Sequence, residues 1–178
     1  MSENLKYPIG KPKIPKVITE VIIKDWILAI EEFPRKLSVL VKNLSDKQLN
    51  TPYRENGWTI RQVIHHCADS HLNSYTRFKW ALTEDKPIIK AYYVDCWAEL
   101  ADSRSAPIEL SLNYLKSLHA KWVYFLKGLT SHDLDTLFIH PDRNEEVSLK
   151  ENIGIYCWHC EHHYEHINQL LLRKNWNK

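Results

Sequence analysis

Glycine is scarce in this chain: its 178 residues include 4 glycines. Phosphate-cradling loops and dinucleotide fingerprints are built on closely spaced glycines, and neither pattern is present, which disfavours nucleotide chemistry. Long apolar runs are missing too. The most apolar early stretch, VIIKDWILAI, is broken by Lys24 and Asp25, and nothing approaches the roughly 20 apolar residues that cross a bilayer. Charge of one sign is in equally short supply. The formal net charge is +2, with lysines and arginines interleaved among acids, so neither nucleic acid nor an anionic lipid surface is an expected partner. The opening MSENLKYPIGKPKIPK has no apolar core of a secretory signal, and a cytoplasmic setting follows, in which the 4 cysteines stay reduced.

What is present describes an ordinary globular chain. Hydrophobic residues make up 44% and charged residues 26%, and the length matches one domain, residues 1–178, with a basic N-terminal arm over 1–18 carrying Pro8, Pro12 and Pro15. Later prolines at 52, 87, 107 and 141 separate segments whose apolar residues recur at helical spacing. The first helix is expected from about Thr19 to about Leu44, kinked at Pro34. The second runs from about Thr59 to Leu82, opened by a Thr59/Gln62 capping box with Trp58 and Val63 placed to staple it. The third begins near Pro107 and stops at Gly128. The fourth opens on a second capping box, Ser148/Glu151, and carries Ile153, Cys157, Cys160, Tyr164, Ile167 and Leu171 on one side.

These periods predict an all-α four-helix bundle. The long connection from roughly Thr83 to Ala106, with a short helix around Asp95 to Ala101, excludes a minimal up-down-up-down design. The segment FIHPDRNEEV is the one place where a short turn of strand is conceivable.

Of ten histidines, seven gather in two places, HHCADSH on the second helix and WHCEHHYEH on the fourth. On a helical wheel centred on the fourth helix's apolar residues, His163 and His159 lie roughly 60° and 100° from the core direction, whereas His166 and His162 lie about 120° and 160° away. His159 and His163 therefore border the interior. Two imidazoles one turn apart can share a metal ion, and a third ligand from another helix would leave positions open for water or substrate. The wheel does not choose that third ligand among His65, His66 and His71: the apolar face of the second helix points nearest to His71, while His66, Ser70, Asn73, Arg77 and Trp80 form a separate, mostly polar stripe.

The segments RENGWTIRQVIHHCADSHLNSYTRFK and IGIYCWHCEHHYEHI, with the opening YPIG, resemble the YfiT-type metal-dependent hydrolases of the DinB superfamily over nearly the whole chain. The resemblance implies that His66, eight residues after Trp58, is the third metal ligand beside His159 and His163. It also implies a cytoplasmic bundle that binds one zinc or nickel ion per chain and associates as a homodimer. Where the wider superfamily ends its motif in HRGQ, this chain reads His163, Tyr164, Glu165, His166, which sets it in the YfiT branch and makes the distant members a weaker guide.

The plain readings stand beside these. His65, His71, His162 and His166 are first of all ordinary surface or core residues, with orientation of the ligands as their functional alternative. His119 is a hydrogen-bonded core residue. Cys157 and Cys160 spell Cys-x-x-Cys in mid-helix on an apolar face, which suits buried free thiols better than a redox pair, although Cys160 could compete as a soft ligand. Cys67 and Cys96 fit no partner pattern. The leading functional expectation is a hydrolase whose ion lowers the pKa of a bound water for attack on a small substrate. Arg54, Asn73 and Arg77 are the candidates to orient an anionic substrate. A thiol S-transferase of the bacillithiol type shares the resemblance and the site, with the thiol as cosubstrate. A non-catalytic metal-binding module is the third reading.

Overall fold

A computed structural model describes residues 2–142 and 144–176; Met1, Arg143, Asn177 and Lys178 lie outside the described residues, and with them the two ends of the 1–178 domain and one position of the FIHPDRNEEV turn. In chain order the elements are α1 (Ser2–Lys6), α2 (Glu20–Val41), α3 (Asp46–Leu49), α4 (Ile60–Thr83), α5 (Val94–Ala98), α6 (Ala101–Ser105), α7 (Ile108–Lys127), α8 (Ser131–Asp135), β1 (Leu137–His140), β2 (Glu145–Ser148) and α9 (Leu149–Lys174). The four long helices are those expected from the periodicity, and their starts sit where the side-chain chemistry put them. Thr59 and Ser148 accept from the backbone N–H of Gln62 and Glu151, and the side chains of Gln62 and Glu151 return the bond to the cap backbone. Each box satisfies two otherwise orphaned donors of a helix N-terminus. At the other end of α9, Asn175 closes the helix in the left-handed conformation (φ 55°). Among the described residues no helix is long and apolar enough to cross a membrane.

The helices form a four-helix bundle with an uncommon order of neighbours. Both α2 and α4 pack against α7 and α9, so the two helices consecutive in the chain stand at diagonal corners. The core between them is closed by Ile30, Phe33 and Leu37 of α2, Ile60, Ile64 and Phe78 of α4, Leu115 and Trp122 of α7, and Ile153 and Ile167 of α9, all almost fully buried. α9 packs tightly against α2 at Gly154, where a Cβ would lie 2.7 Å from the Trp26 ring and 2.9 Å from Ile14.

Two features differ from the sequence expectation. The connection between α4 and α7 holds two short helices, α5 and α6, rather than one. FIHPDRNEEV and its surroundings form a real antiparallel pair, with Phe138 opposite Val147 and Ile139 opposite Glu146, so the all-α class carries a small two-stranded sheet. The connection is tied to it: Ile89 N donates to the Ile139 carbonyl at 3.1 Å and Ile139 N to the Pro87 carbonyl at 2.9 Å. As the sequence led one to expect, α2 runs through Pro34, which lies inside it and is buried. The Ile30 carbonyl one turn earlier therefore has no N–H of residue 34 to accept.

Candidate metal centre

His66 and His71 descend into the bundle from α4, and His159 and His163 from the middle of α9. One ring nitrogen from each of His66, His159 and His163 lies within 4.8 Å of the other two. The Nε2 atoms of His66 and His159 are 3.2 Å apart, and the ring centres are separated by 5.2 Å (His66–His159), 4.7 Å (His66–His163) and 4.4 Å (His159–His163). Trp58 covers the cluster, with its ring centre 4.7 Å from that of His66 and its plane nearly parallel to that of His163.

Burial sets the electrostatics. It pushes His66 down to about 3, and it holds His159 and His163 well below the ordinary imidazole value, with further lowering from neighbouring histidines. The three rings are thus neutral at pH 7, and each keeps a lone pair. Three neutral imidazole nitrogens converging from two helices are a donor set that suits zinc or a similar divalent ion, and three protein ligands leave a tetrahedral ion a further position. The residues present fit a metal.

The surroundings of the cluster separate the other histidines. His71, fully buried, is placed 3.0 Å from His159 Nδ1 through its Nε2 and 2.7 Å from His119 Nε2 through its Nδ1. His119 in turn meets the Ile30 carbonyl at 2.7 Å through Nδ1. His65 faces away, with Nδ1 2.7 Å from Ser111 Oγ and Nε2 3.2 Å from the Ala106 carbonyl, and it ties α4 to the start of α7. Ser70 Oγ stands 3.3 Å from His159 Nε2 and 3.2 Å from the hydroxyl of Tyr156, which donates to the Ser70 carbonyl.

The helical wheel misplaces His162 and His166. It turns them away from the core, yet they are only 6% and 3% exposed. The reason is a second covering layer. Tyr53 stacks on His166 with ring centres 3.9 Å apart, Trp158 stacks on His162 at 4.2 Å, and the N-terminal arm closes over both. The Lys6 carbonyl accepts from His166 Nε2 at 3.0 Å, Tyr7 lies against His162, and Trp158 Nε1 donates to the Gly10 carbonyl. His162, His163 and His166 form a second group with nitrogens within 4.8 Å of one another. A cavity of about 200 Å³ opens onto it, lined by Lys6, Tyr7, Arg54, Trp58 and Asp95 among others.

Of the substrate candidates, Arg54 lines this cavity beside His163, with its guanidinium held by the Tyr53 hydroxyl at 3.2 Å and the Glu55 carbonyl at 2.8 Å. Arg77 is buried at 8% exposure, its Nε has no hydrogen-bond partner among the described residues, and its charge contributes to the lowering at His159. Asn73 donates from its amide to the Asp69 carbonyl of its own helix at 2.9 Å. The structure also adds Tyr92, which sequence reasoning did not find. Burial raises its hydroxyl well above the usual phenol range, beside Ser70 and Tyr156. Nothing in the sequence marks Tyr92, because it sits in an irregular stretch of the connection. The four cysteines are free; Cys67 and Cys160 are buried, and burial pushes both thiols up.

The family model of the DinB superfamily matches residues 29–167, which include all three histidines of the cluster. The chain belongs to the DinB superfamily. It is 50% identical over 173 residues to a Bacillus cereus (strain AH820) protein named "putative metal-dependent hydrolase", covering 97% of this chain and 99% of that protein. A Bacillus anthracis (strain A0248) protein of the same name matches with the same identity and coverage. Among solved structures, YfiT from Bacillus subtilis superimposes with a TM-score of 0.96 and 45% identity, over 98% of this chain and 99% of that one. It is described as "a probable metal-dependent hydrolase with an unusual four-helix bundle topology".

Proposed function

We propose that this DinB-superfamily protein is a metal-dependent hydrolase of a small substrate, holding one divalent cation, zinc in the first place and nickel as the second candidate, with His66, His159 and His163. One observation carries the reading: three buried or part-buried neutral imidazoles from two helices bring nitrogens within 4.8 Å of one another, beneath Trp58. The names borne by the Bacillus relatives support metal dependence and hydrolysis. When bound, such a cation acidifies a coordinated water and polarises a carbonyl or phosphoryl oxygen.

The chain's own residues supply the rest. Arg54 at the cavity wall and Arg77 beside His159 are fixed cations placed to attract and orient an anionic group of the substrate. Trp58 and the arm residues Lys6 and Tyr7 shield one side of the histidines from water. Asn73, one of whose amide hydrogens goes to the Asp69 carbonyl, keeps its carbonyl oxygen and second N–H to contact the substrate. A cytoplasmic setting and a homodimer complete the reading.

Metal analysis of protein purified without an affinity tag tests it. Wild type should carry about one ion per chain, and His66→Ala, His159→Ala and His163→Ala should carry little. Equal metal content in all four proteins refutes the ligand assignment. Turnover of ester and amide panels by the loaded wild type, independent of any added small thiol, is expected; turnover only with a thiol, which is consumed, would replace hydrolysis by S-transfer.

A further inference from the structure

A neutral imidazole has one N–H and one lone pair, and the partner of one nitrogen decides the role of the other. In this protein a proline begins that chain of decisions. Pro34 has no N–H, so the Ile30 carbonyl lacks its helical donor and is met instead by His119 Nδ1 at 2.7 Å. A carbonyl only accepts, so His119 carries its hydrogen on Nδ1 and its lone pair on Nε2. That lone pair faces His71 Nδ1 at 2.7 Å, which must donate, and His71 Nε2 is left to accept from His159 Nδ1 at 3.0 Å. The lone pair of His159 then lies on Nε2, the atom 3.2 Å from His66 Nε2.

The same logic runs on the other side of the cluster. His166 donates from Nε2 to the Lys6 carbonyl at 3.0 Å, so its Nδ1 is an acceptor, and His163 Nδ1 at 3.3 Å is the donor that it faces. His163 is left with its lone pair on Nε2. Burial favours the neutral ring along both chains: His71, His119 and His166 are 0%, 1% and 3% exposed.

We propose that these two histidine relays, one ending on the carbonyl freed by Pro34 and the other on the carbonyl of Lys6, lock His159 and His163 in the tautomer whose Nε2 lone pair is directed at a shared divalent cation. His71, His119 and His166 are then positioning residues, and the seating of α1 is part of the metal centre. The proposal rests on the reading of His159 and His163 as ligands. It also means that His163 and His166 of the second histidine group serve the first site, because His163 Nδ1 is already a donor to His166 there.

The direct test is the long-range 1H–15N spectrum of the imidazoles in metal-free, full-length protein near pH 7.5. His71, His119, His159 and His163 should carry hydrogen on Nδ1, and His166 on Nε2. Hydrogen on Nε2 of His159 or His163 overturns the proposal. Affinity for Zn2+ alone, measured by competition with a chromophoric chelator, supplies the second readout. His119→Leu and His166→Leu should weaken binding by about 10- to 100-fold. His119→Gln and His166→Gln should stay close to wild type, because a carboxamide can donate to the carbonyl and accept from the next ring. Leu variants that lose thermal stability in the metal-free state yet bind Zn2+ as wild type does would show a merely structural role and refute positioning. The two readings fail separately. Wrong tautomers with intact Zn2+ uptake sink the relays, whereas correct tautomers with Zn2+ uptake unchanged in His66→Ala, His159→Ala and His163→Ala sink the ligand set.

Discussion

Acid should destabilise this protein in part through one buried ring, and His119→Gln isolates that ring. His119 is 1% exposed, and burial pushes its pKa from the ordinary 6.5 down to about 4. Below pH 6.5 the unfolded chain takes up a proton at this ring that the folded chain refuses until about pH 4, so stability falls as pH falls across that window. With those two values, the loss attributable to His119 is about 1.4 kcal/mol at pH 5.5 and about 2.5 kcal/mol at pH 4.5. Glutamine does not titrate, so it removes this term while leaving every other histidine in place. Urea unfolding of the metal-free proteins, followed by the fluorescence of the seven tryptophans, gives the stability of each at pH 8, 5.5 and 4.5. The wild-type advantage over His119→Gln at pH 8 should shrink by about 2.5 kcal/mol by pH 4.5. Stability curves of the two proteins that run parallel over this range would show that His119 does not have a depressed pKa in the folded state, and the account of a dry, neutral relay would be wrong.

Other consequences concern packing and metal. Gly154→Ala pushes a methyl to within 2.7 Å of the Trp26 ring; overpacking of about 1–3 kcal/mol should exceed the gain in helix propensity, giving a lower melting temperature. Arg61 is 5% exposed and donates to Asp46 at 2.7 Å, Asn50 at 2.9 Å and the Ala106 carbonyl at 2.7 Å, so Arg61→Met should cost about 2–4 kcal/mol in urea unfolding, more than a surface ion pair would. Zn2+ held at a hundred times its dissociation constant should stabilise wild type by about 2.7 kcal/mol, with no such gain in His159→Ala; equal gains in both would place binding elsewhere.

Much of the fold is local chemistry and could be read in advance. The capping boxes at Thr59 and Ser148 announce α4 and α9 because a hydroxyl and a Gln or Glu three residues on satisfy the same backbone donors in any context. Pro107 and Gly128 bracket α7 in the same way, since one lacks the hydrogen that a helix start does not need and the other ends it without strain. The hairpin was harder. Each strand has four residues, too few for an alternating pattern, and the pair is stabilised partly by the connection that bonds to Ile139. The short helices α3 and α8 rest on caps at Ser45 and Thr130 whose four- and five-residue spans carry no periodic stripe.

The histidines divide along the same line. Clustering of imidazoles on two helices, and the one-turn spacing of His159 and His163, are properties of the sequence by itself, because residues four apart share a helix face whatever surrounds it. So are the helical class, the freed carbonyl at Ile30 and the neutrality of the overall charge balance. Which nitrogen faces which partner was settled only by tertiary structure: His66 meets His159 across 93 positions of chain, and His119 finds Ile30 across 89. A wheel drawn on α9 could not foresee that His162 and His166 would be buried, since their cover comes from Tyr53 and an N-terminal arm more than 150 residues away from His162. Periodicity reports the environment of one helix against its main core. Packing of distant segments, which depends on how all four helices and the arm fill space together, determines the rest.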